Sequence, residues 1–388
     1  MTPVALRSPW PTAPAWALFS RKQRGVREGD GVVTAFRDGQ VTLRSNRRQD
    51  GFTNAVEEIG YQGVRAGDLV IHSMDGFAGA IGISESDGKS SPVVHCYTPS
   101  AGADARYYAY LLRDLAVSGY VSSLSKGIRE RSTAFDAETF RSLVLPVPPQ
   151  PHQRVIADYL DRETARIDAL IAKKQRMIQL FEERRVALID STILFTAGPL
   201  RPVATLATYI NGWPFKPSDF SESGTPVVRI TQLTGSSHEQ DYYEGNLPER
   251  VTLRDGDLVF SWSGSLEVRR WNRGHAYLNQ HLFRVLPKDG VDLNWLTHAL
   301  DCASRLFAEH MHGSAMTHIT QPMMKLVKIP VPDVAAQARI ASDLDSTLPR
   351  LHELRSAAVR QINLLREHRH ALITGAVTGE MEIPGVAA

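Results

Sequence analysis

The sequence lacks most of the features that would assign it quickly to an extracellular, membrane or metal-binding class. Its 388 residues include two cysteines, Cys96 and Cys302, about half the chain apart and without a CxxC or Cys/His spacing beside either. Neither a structural disulfide nor a zinc site is expected. No uninterrupted apolar run reaches the roughly 18 to 20 residues that a membrane helix needs, and no charged stretch leads into an apolar one at the N-terminus. The expectation is a cytoplasmic protein. Net charge is nearly absent, with 44 basic against 42 acidic residues. That balance neither requires nor excludes nucleic acid, because binding depends on where basic groups cluster. A hydrophobic content of 43% with 22% charged residues excludes disorder as the default.

What the sequence does have is local charge and a long internal repeat. Residues 21 to 48 hold eight basic side chains against three acidic ones, and residues 262 to 288 hold five against one. The stretch from Leu145 to Ile193 aligns without gaps, at an offset of 184, with that from Ile329 to Val377. Pro146, Val147 and Pro148 match Pro330, Val331 and Pro332; Gln153 matches Gln337, and Leu160 and Asp161 match Leu344 and Asp345. Such a period is too long for a solenoid and implies two copies of a whole module.

Each copy opens on Pro-Val-Pro, which cannot be helix interior, and then runs about 40 residues with apolar side chains at helical spacing. In the first copy these are Ile156, Leu160, Ile167, Leu170, Met177, Phe181 and Leu188. In the second they are Leu344, Leu348, Leu351, Ala358, Ile362, Leu365 and Leu372. Steps of three and four approximate a heptad, so the two long helices are expected to form an antiparallel coiled coil. Pro349 either kinks the second helix or marks a restart capped by Ser346 or Thr347.

The remaining segments read as mixed, with strand-like runs between Gly, Asp and Pro turns. Gly67, Asp68, Leu69 and Val70 recur as Gly256, Asp257, Leu258 and Val259, a turn entering a buried strand. The fold class expected is α+β: two mixed globules at residues 1–144 and 197–328, long-helix regions at 145–196 and 329–380, and a tail at 381–388.

Candidate chemistry fails residue by residue. Gly76, Gly79 and Gly82 do not have the dinucleotide-loop spacing, and Gly88, Lys89 and Ser90 follow Ile83 where a phosphate loop needs Gly, so they read as a surface turn. Asn211 to Phe215 approaches an adenine-methyltransferase tract but fails at its first proline. His310, His312 and His318 lack a carboxylate or cysteine at ligand spacing, and His368 and His370 read as surface. Lys173, Lys174, Arg176, Arg184 and Arg185 lie among acids and read as a solvated helix flank.

The doubled layout resembles the specificity subunits of Type I restriction-modification systems. The resemblance rests on the Pro-hydrophobic-Pro opening, the Gln and the patterned helix at Pro146–Ile156 and Pro330–Ile340. It rests also on the close from Leu372 and Ile373 to Glu380, and on Asn211, Gly212, Phe215, Gly224, Pro226, Val228 and Ile230. His152 and Ala336 stand where the family commonly has Glu. The resemblance implies two target-recognition domains, each reading half of a bipartite site in double-stranded DNA, with the helices as spacer and docking surface. It implies two modification subunits and two restriction subunits as partners, and no catalytic site, metal or cofactor in this chain. S-adenosylmethionine, ATP and Mg belong to those partners. DNA contacts are then expected from Arg44, Asn46, Arg47, Arg48 and Gln49, and from Lys126, Arg129 and Arg131. In the second globule they are expected from Lys216, Arg229, Gln232, Trp262, Arg269, Arg270, Asn272 and Arg273, whose forks suit base edges and phosphates. The alternatives are a divergent DNA methyltransferase or nuclease, which would bind S-adenosylmethionine alone, and a coiled-coil interaction protein, which would select no DNA.

Overall fold

The computed structural model describes residues 9–47, 59–124, 135–235, 239–311 and 318–386. The chain divides into two compact units, Met1–Lys174 with Arg360–Ala388, and Gln175–Val359.

The first unit starts with β1 (Thr12–Pro14), one helical turn α1 (Ala15–Leu18) and β2 (Phe19–Lys22). Short strands follow: β3 (Val33–Ala35), β4 (Val41–Leu43), β5 (Gln62–Val64), β6 (Leu69–His72), β7 (Ile81–Ile83), β8 (Gly88–Ser90) and β9 (Val94–Pro99). Helices α2 (Ala105–Val117), α3 (Tyr120–Ser123) and α4 (Ala137–Ser142) lead to β10 (Val144–Pro146), which pairs with β1, and then to α5 (Gln150–Leu194). The main sheet has the antiparallel order β2-β9-β6-β7. Its central strand is buried on both faces, and the side chains alternate with the strand period. Leu69 and Ile71 join the cluster that includes Tyr107, Leu111 and Leu112 of α2, while Val70 joins Val33, Val41 and Cys96 on the other face. Burial there pushes the Cys96 thiol up to about 12.

The second unit repeats this plan. It has β11 (Leu200–Pro202), β12 (Ala207–Asn211), β13 (Thr225–Val228), α6 (Ile230–Thr234), β14 (Asp241–Tyr243) and β15 (Thr252–Leu253). Then come β16 (Leu258–Ser261), β17 (Val268–Arg270), β18 (Ala276–Leu278), β19 (Leu282–Pro287), α7 (Leu293–Met311), α8 (Gln321–Leu326), β20 (Lys328–Pro330) and α9 (Val334–Thr378). The sheet order β12-β19-β16-β17 copies the first, and β11 pairs with β20 as β1 does with β10. Leu258 and Phe260 face α7 residues Trp295 and Leu296, and Val259 faces the opposite cluster with Leu253 and Trp271. The second sheets differ: β14-β13-β18-β15 is a mixed four-stranded sheet, whereas the first unit has the pairs β3-β4 and β5-β8.

The turns before β6 and β16 explain the recurring Gly-Asp. Gly67 and Gly256 adopt φ of 88° and 93°, which glycine takes without a Cβ penalty. Asp68 and Asp257 then accept the backbone N–H of Arg65 (2.9 Å) and Arg254 (2.8 Å). The Gly88–Ser90 reading as a surface turn is corrected: these residues form β8, paired with β5. A Cβ on Gly88 would lie 2.5 Å from the Gly31 carbonyl oxygen, so glycine serves close backbone packing.

The long helices α5 and α9 pack against each other, each giving one half to either unit. In the first unit Ile156 and Leu160 cluster with Leu372, Ile373, Ala376 and Val377, and Asp168 accepts from Arg369 at 3.0 Å. In the second, Ile189 and Ile193 cluster with Ala341 and Leu344. As α5 advances α9 recedes, so the helices are antiparallel. Ile167, Ala358 and Ile362 are also buried, and Phe181, Leu188, Leu348, Leu351 and Leu365 are half-buried. The expected stripe needs correction in the middle of α5, where Leu170 and Met177 are each 39% exposed. The restart at Pro349 is corrected too. Helix α9 runs through it, and the Ser346 and Thr347 hydroxyls donate back to the Asp343 carbonyl (2.8 and 2.9 Å) rather than capping a new helix.

Candidate nucleic-acid interface

The repeated glutamine fixes each long helix to its globule. Gln153 is fully buried; its Oε1 accepts the Asp104 N–H (2.8 Å) and its Nε2 donates to the carbonyls of Gly102 (3.1 Å) and Pro148 (2.7 Å). Gln337 does the same with the Asp292 N–H (2.7 Å) and the carbonyls of Gly290 (3.1 Å) and Pro332 (2.9 Å). Asp104 and Asp292 in turn accept backbone N–H groups in the first turns of α2 and α7. The spaced aspartates complete the pattern: Tyr110 donates to Asp161 (2.8 Å), and His298 lies 2.8 Å from Asp345.

In the first unit the basic cluster after β4 borders a cleft of about 620 Å³ between β3, the turn after β6 and the end of β8. Arg44 reaches into it with Nε on the Thr34 hydroxyl (2.9 Å). Arg47 forks onto Asp38 (2.6 and 2.9 Å) and lies 4.2 Å above the Phe36 ring. Burial pushes the Asp38 carboxyl up, but the hydrogen bonds from Arg47 and the Gln40 N–H, with the charges of Arg47 and Arg113, together outweigh this and hold it below the usual carboxylate range. Asn46 is exposed, donating to Thr42 (3.0 Å). The fold adds Arg37, paired with Asp75 at 2.7 Å, and His72, Ser90 and Ser91, which sequence reasoning missed. Burial lowers the His72 pKa, keeping the imidazole neutral near pH 7. Arg37 lies in the turn between β3 and β4, and His72 and Ser90 end β6 and β8, so only the basic excess at 21 to 48 hinted at the cleft. Arg48, Gln49, Lys126, Arg129 and Arg131 lie outside the described residues, as does His312.

The second unit separates its candidates. Arg229 is exposed, pairs with Asp241 (2.8 Å) and lies 5.6 Å from the Phe220 ring. Arg273 is nearby, donating to the Gln232 carbonyl (3.4 Å). Gln232 itself is buried, its Oε1 accepting the Arg229 N–H (3.0 Å) and its Nε2 donating to the Glu239 carbonyl (2.7 Å), so its amide is already used within the fold. Lys216 and Asn272 are exposed. On β17, Arg269 pairs with Glu267 (3.0 Å) and Arg270 donates to Asn294 (3.1 Å). Trp262 is elsewhere, its Nε1 donating to the Gln280 carbonyl (3.0 Å) and its ring packed near Phe283 and His318 beside a pocket of about 480 Å³. The arrangement offers the exposed guanidinium groups of Arg229, Arg269, Arg270 and Arg273 and the Asn272 amide, suited to phosphates and base edges. Among the described residues no group of three or more His, Cys, Asp or Glu is placed to share a metal ion.

Residues 203–361 match the model of the Type I restriction modification DNA specificity domain. The match covers the second unit's sheet, and the first unit carries the same strand order outside it. Among specificity-family relatives, the chain is 27% identical over 182 residues to the EcoBI specificity subunit of Escherichia coli, covering 46% of this chain and 38% of that one. It thus spans less than two fifths of that relative's length. It is 22% identical over 338 residues to the MjaVIII specificity subunit of Methanocaldococcus jannaschii, covering 77% of this chain and 76% of that one. The fold is shared with a chain from a structure of a type I R-M system, with a TM-score of 0.75 at 14% identity over 96% of this chain and 98% of that one.

Proposed function

We propose that this chain is the DNA-reading subunit of a Type I restriction-modification complex. Each unit reads one half of a bipartite site in double-stranded DNA, and α5 with α9 sets the spacing between halves. The observation that carries this reading is the duplication: one sheet order, one glutamine clamp and one long helix occur twice, and residues 203–361 match the specificity-domain model. A helix pair of fixed length converts residues into half-site separation, as dimer geometry does in other DNA-binding proteins.

The chain carries no chemistry and holds no cofactor in this proposal. Two modification subunits dock on the long helices and supply S-adenosylmethionine and the adenine-methylating site, and two restriction subunits add ATP- and Mg-dependent steps in the cytoplasm. Among the described residues no helix is long and apolar enough to cross a membrane.

Two measurements test the reading. Labelled S-adenosylmethionine should not bind the isolated chain; saturable one-to-one binding would contradict a non-catalytic subunit. With a modification subunit present, replacing Arg44 and Arg47 together by Ala should weaken duplex binding by about ten- to a hundredfold. Unchanged affinity and unchanged sequence preference would remove the first-unit cleft from the interface.

A further inference from the structure

The two units set equivalent helices against each other with opposite electrostatic results. In the second unit α7 faces α5. Asp301 of α7 accepts from Arg185 (2.9 Å) and from Arg305 (3.1 Å), Arg305 forks onto Asp190 (3.0 Å), and Arg185 also reaches Glu182 (2.8 Å). Each of these cations meets a carboxylate.

In the first unit α2 stands in the place of α7, and the end of α9 in that of α5. Duplicated contacts fix the correspondence: Gln153 with Gln337, Tyr110–Asp161 with His298–Asp345, and Asp114–Thr374 with Cys302–Asp190. By that correspondence Arg113 replaces Asp301 and Arg366 replaces Glu182, while Arg369 keeps the position of Arg185. Val117 and Thr374 stand for Arg305 and Asp190. Two acids have become two bases.

The result is a pocket of about 210 Å³ lined by Tyr110, Arg113, Asp114, Arg366, Arg369 and His370. The Arg113 Nε is buried without a hydrogen-bond partner, and its other nitrogens have none among the described residues. Arg366 is exposed and equally unpaired among the described residues. The neighbouring acids are already engaged. Asp168 holds Arg369 (3.0 Å), Asp114 takes the Thr374 hydroxyl (2.5 Å) with His370 at 3.7 Å, and Asp38 holds Arg47 (2.6 Å). Gly39 leaves room for the guanidinium, since a Cβ there would lie 2.3 Å from its central carbon. Burial, then the charge of Arg369, lowers the Arg113 pKa, and a bound anion would offset both.

We infer that this pocket binds one phosphoryl group, gripped by Arg113 and Arg366 with Arg369 and His370 at its rim. Forked guanidinium donors and a small pocket suit a tetrahedral oxyanion. The phosphoryl group comes either from a DNA backbone or from free phosphate. Only the first source rests on the DNA-reading proposal.

The test uses the full chain with inorganic phosphate at constant ionic strength. Phosphate should raise the melting temperature of the wild type. Arg366→Ala should weaken phosphate binding by about tenfold or more, and Arg113→Asp, which copies the second unit's pattern beside Arg369, should abolish it. If DNA supplies the group, Arg366→Ala should also lower the slope of log affinity against log salt by about one. An unchanged slope with a phosphate response lost in the variants supports the site and assigns it to free phosphate. A wild type unaffected by phosphate, with an unchanged slope in Arg366→Ala, overturns the site even where duplex binding persists. Loss of duplex binding in the wild type would instead refute the reader proposal, leaving the phosphate response to decide the pocket.

Discussion

Gln153 and Gln337 show how one side chain can join three pieces of backbone. Each amide satisfies an N–H ahead of a globule helix, a carbonyl in the glycine turn before it, and a carbonyl of the proline strand leading into the long helix. Truncation leaves buried polar groups without partners, which is costlier than the loss of the bonds themselves. Gln153→Ala and Gln337→Ala should each destabilise their unit by about 2–3 kcal/mol in urea unfolding, and Glu should not rescue either, because a carboxylate cannot donate to two carbonyls. A full-strength rescue by Glu would contradict the clamp. His95 supplies a pH prediction. Burial first, then Arg21, pulls its pKa down to about 4, so the folded state favours the neutral ring. Its contribution is present above the unfolded value near 6.5 and is lost as pH falls towards 4, at most roughly 2–3 kcal/mol. Melting temperatures between pH 7 and pH 4 should fall more steeply in the wild type than in His95→Gln; parallel curves would exclude this residue as the source.

At the scale of elements, the long helices were legible because a 3.6-residue apolar period needs no partner to be seen. Their finer packing was not. Leu188 carries the expected heptad position, yet the fully buried residues are Ile189 and Ile193, and Leu170 and Met177 remain exposed. The equivalence of the two sheets left only the Gly-Asp-Leu-Val echo, since a buried strand demands apolar side chains but not particular ones. The cleft around Arg44 was legible only as local charge, because His72 and Ser90 reach it from strands distant in sequence. Pro349 offers an element-level test: inside continuous α9 it removes the hydrogen bond that the Asp345 carbonyl would accept. Pro349→Ala should stabilise the chain by about 1–3 kcal/mol, and a lower melting temperature would show that α9 depends on the proline. Deleting seven residues from both α5 and α9 should shorten the preferred gap by about 10 Å, roughly three base pairs, with both half-sites unchanged. An altered half-site with an unchanged gap would overturn the spacer role.

For the whole molecule, the two units share their framework and differ in what they display. The main sheet, the flanking helix and the clamp are repeated, whereas the second sheets and the exposed arginines are not. A duplicated scaffold with unlike loops suits two readers of unlike sequence, since loops on a rigid framework carry recognition. The most direct measurement is selection from random duplexes by the full chain assembled with a modification subunit. The account predicts enrichment of two different short motifs at one constant spacing. Enrichment of a single motif, of two motifs at variable spacing, or of none would contradict it.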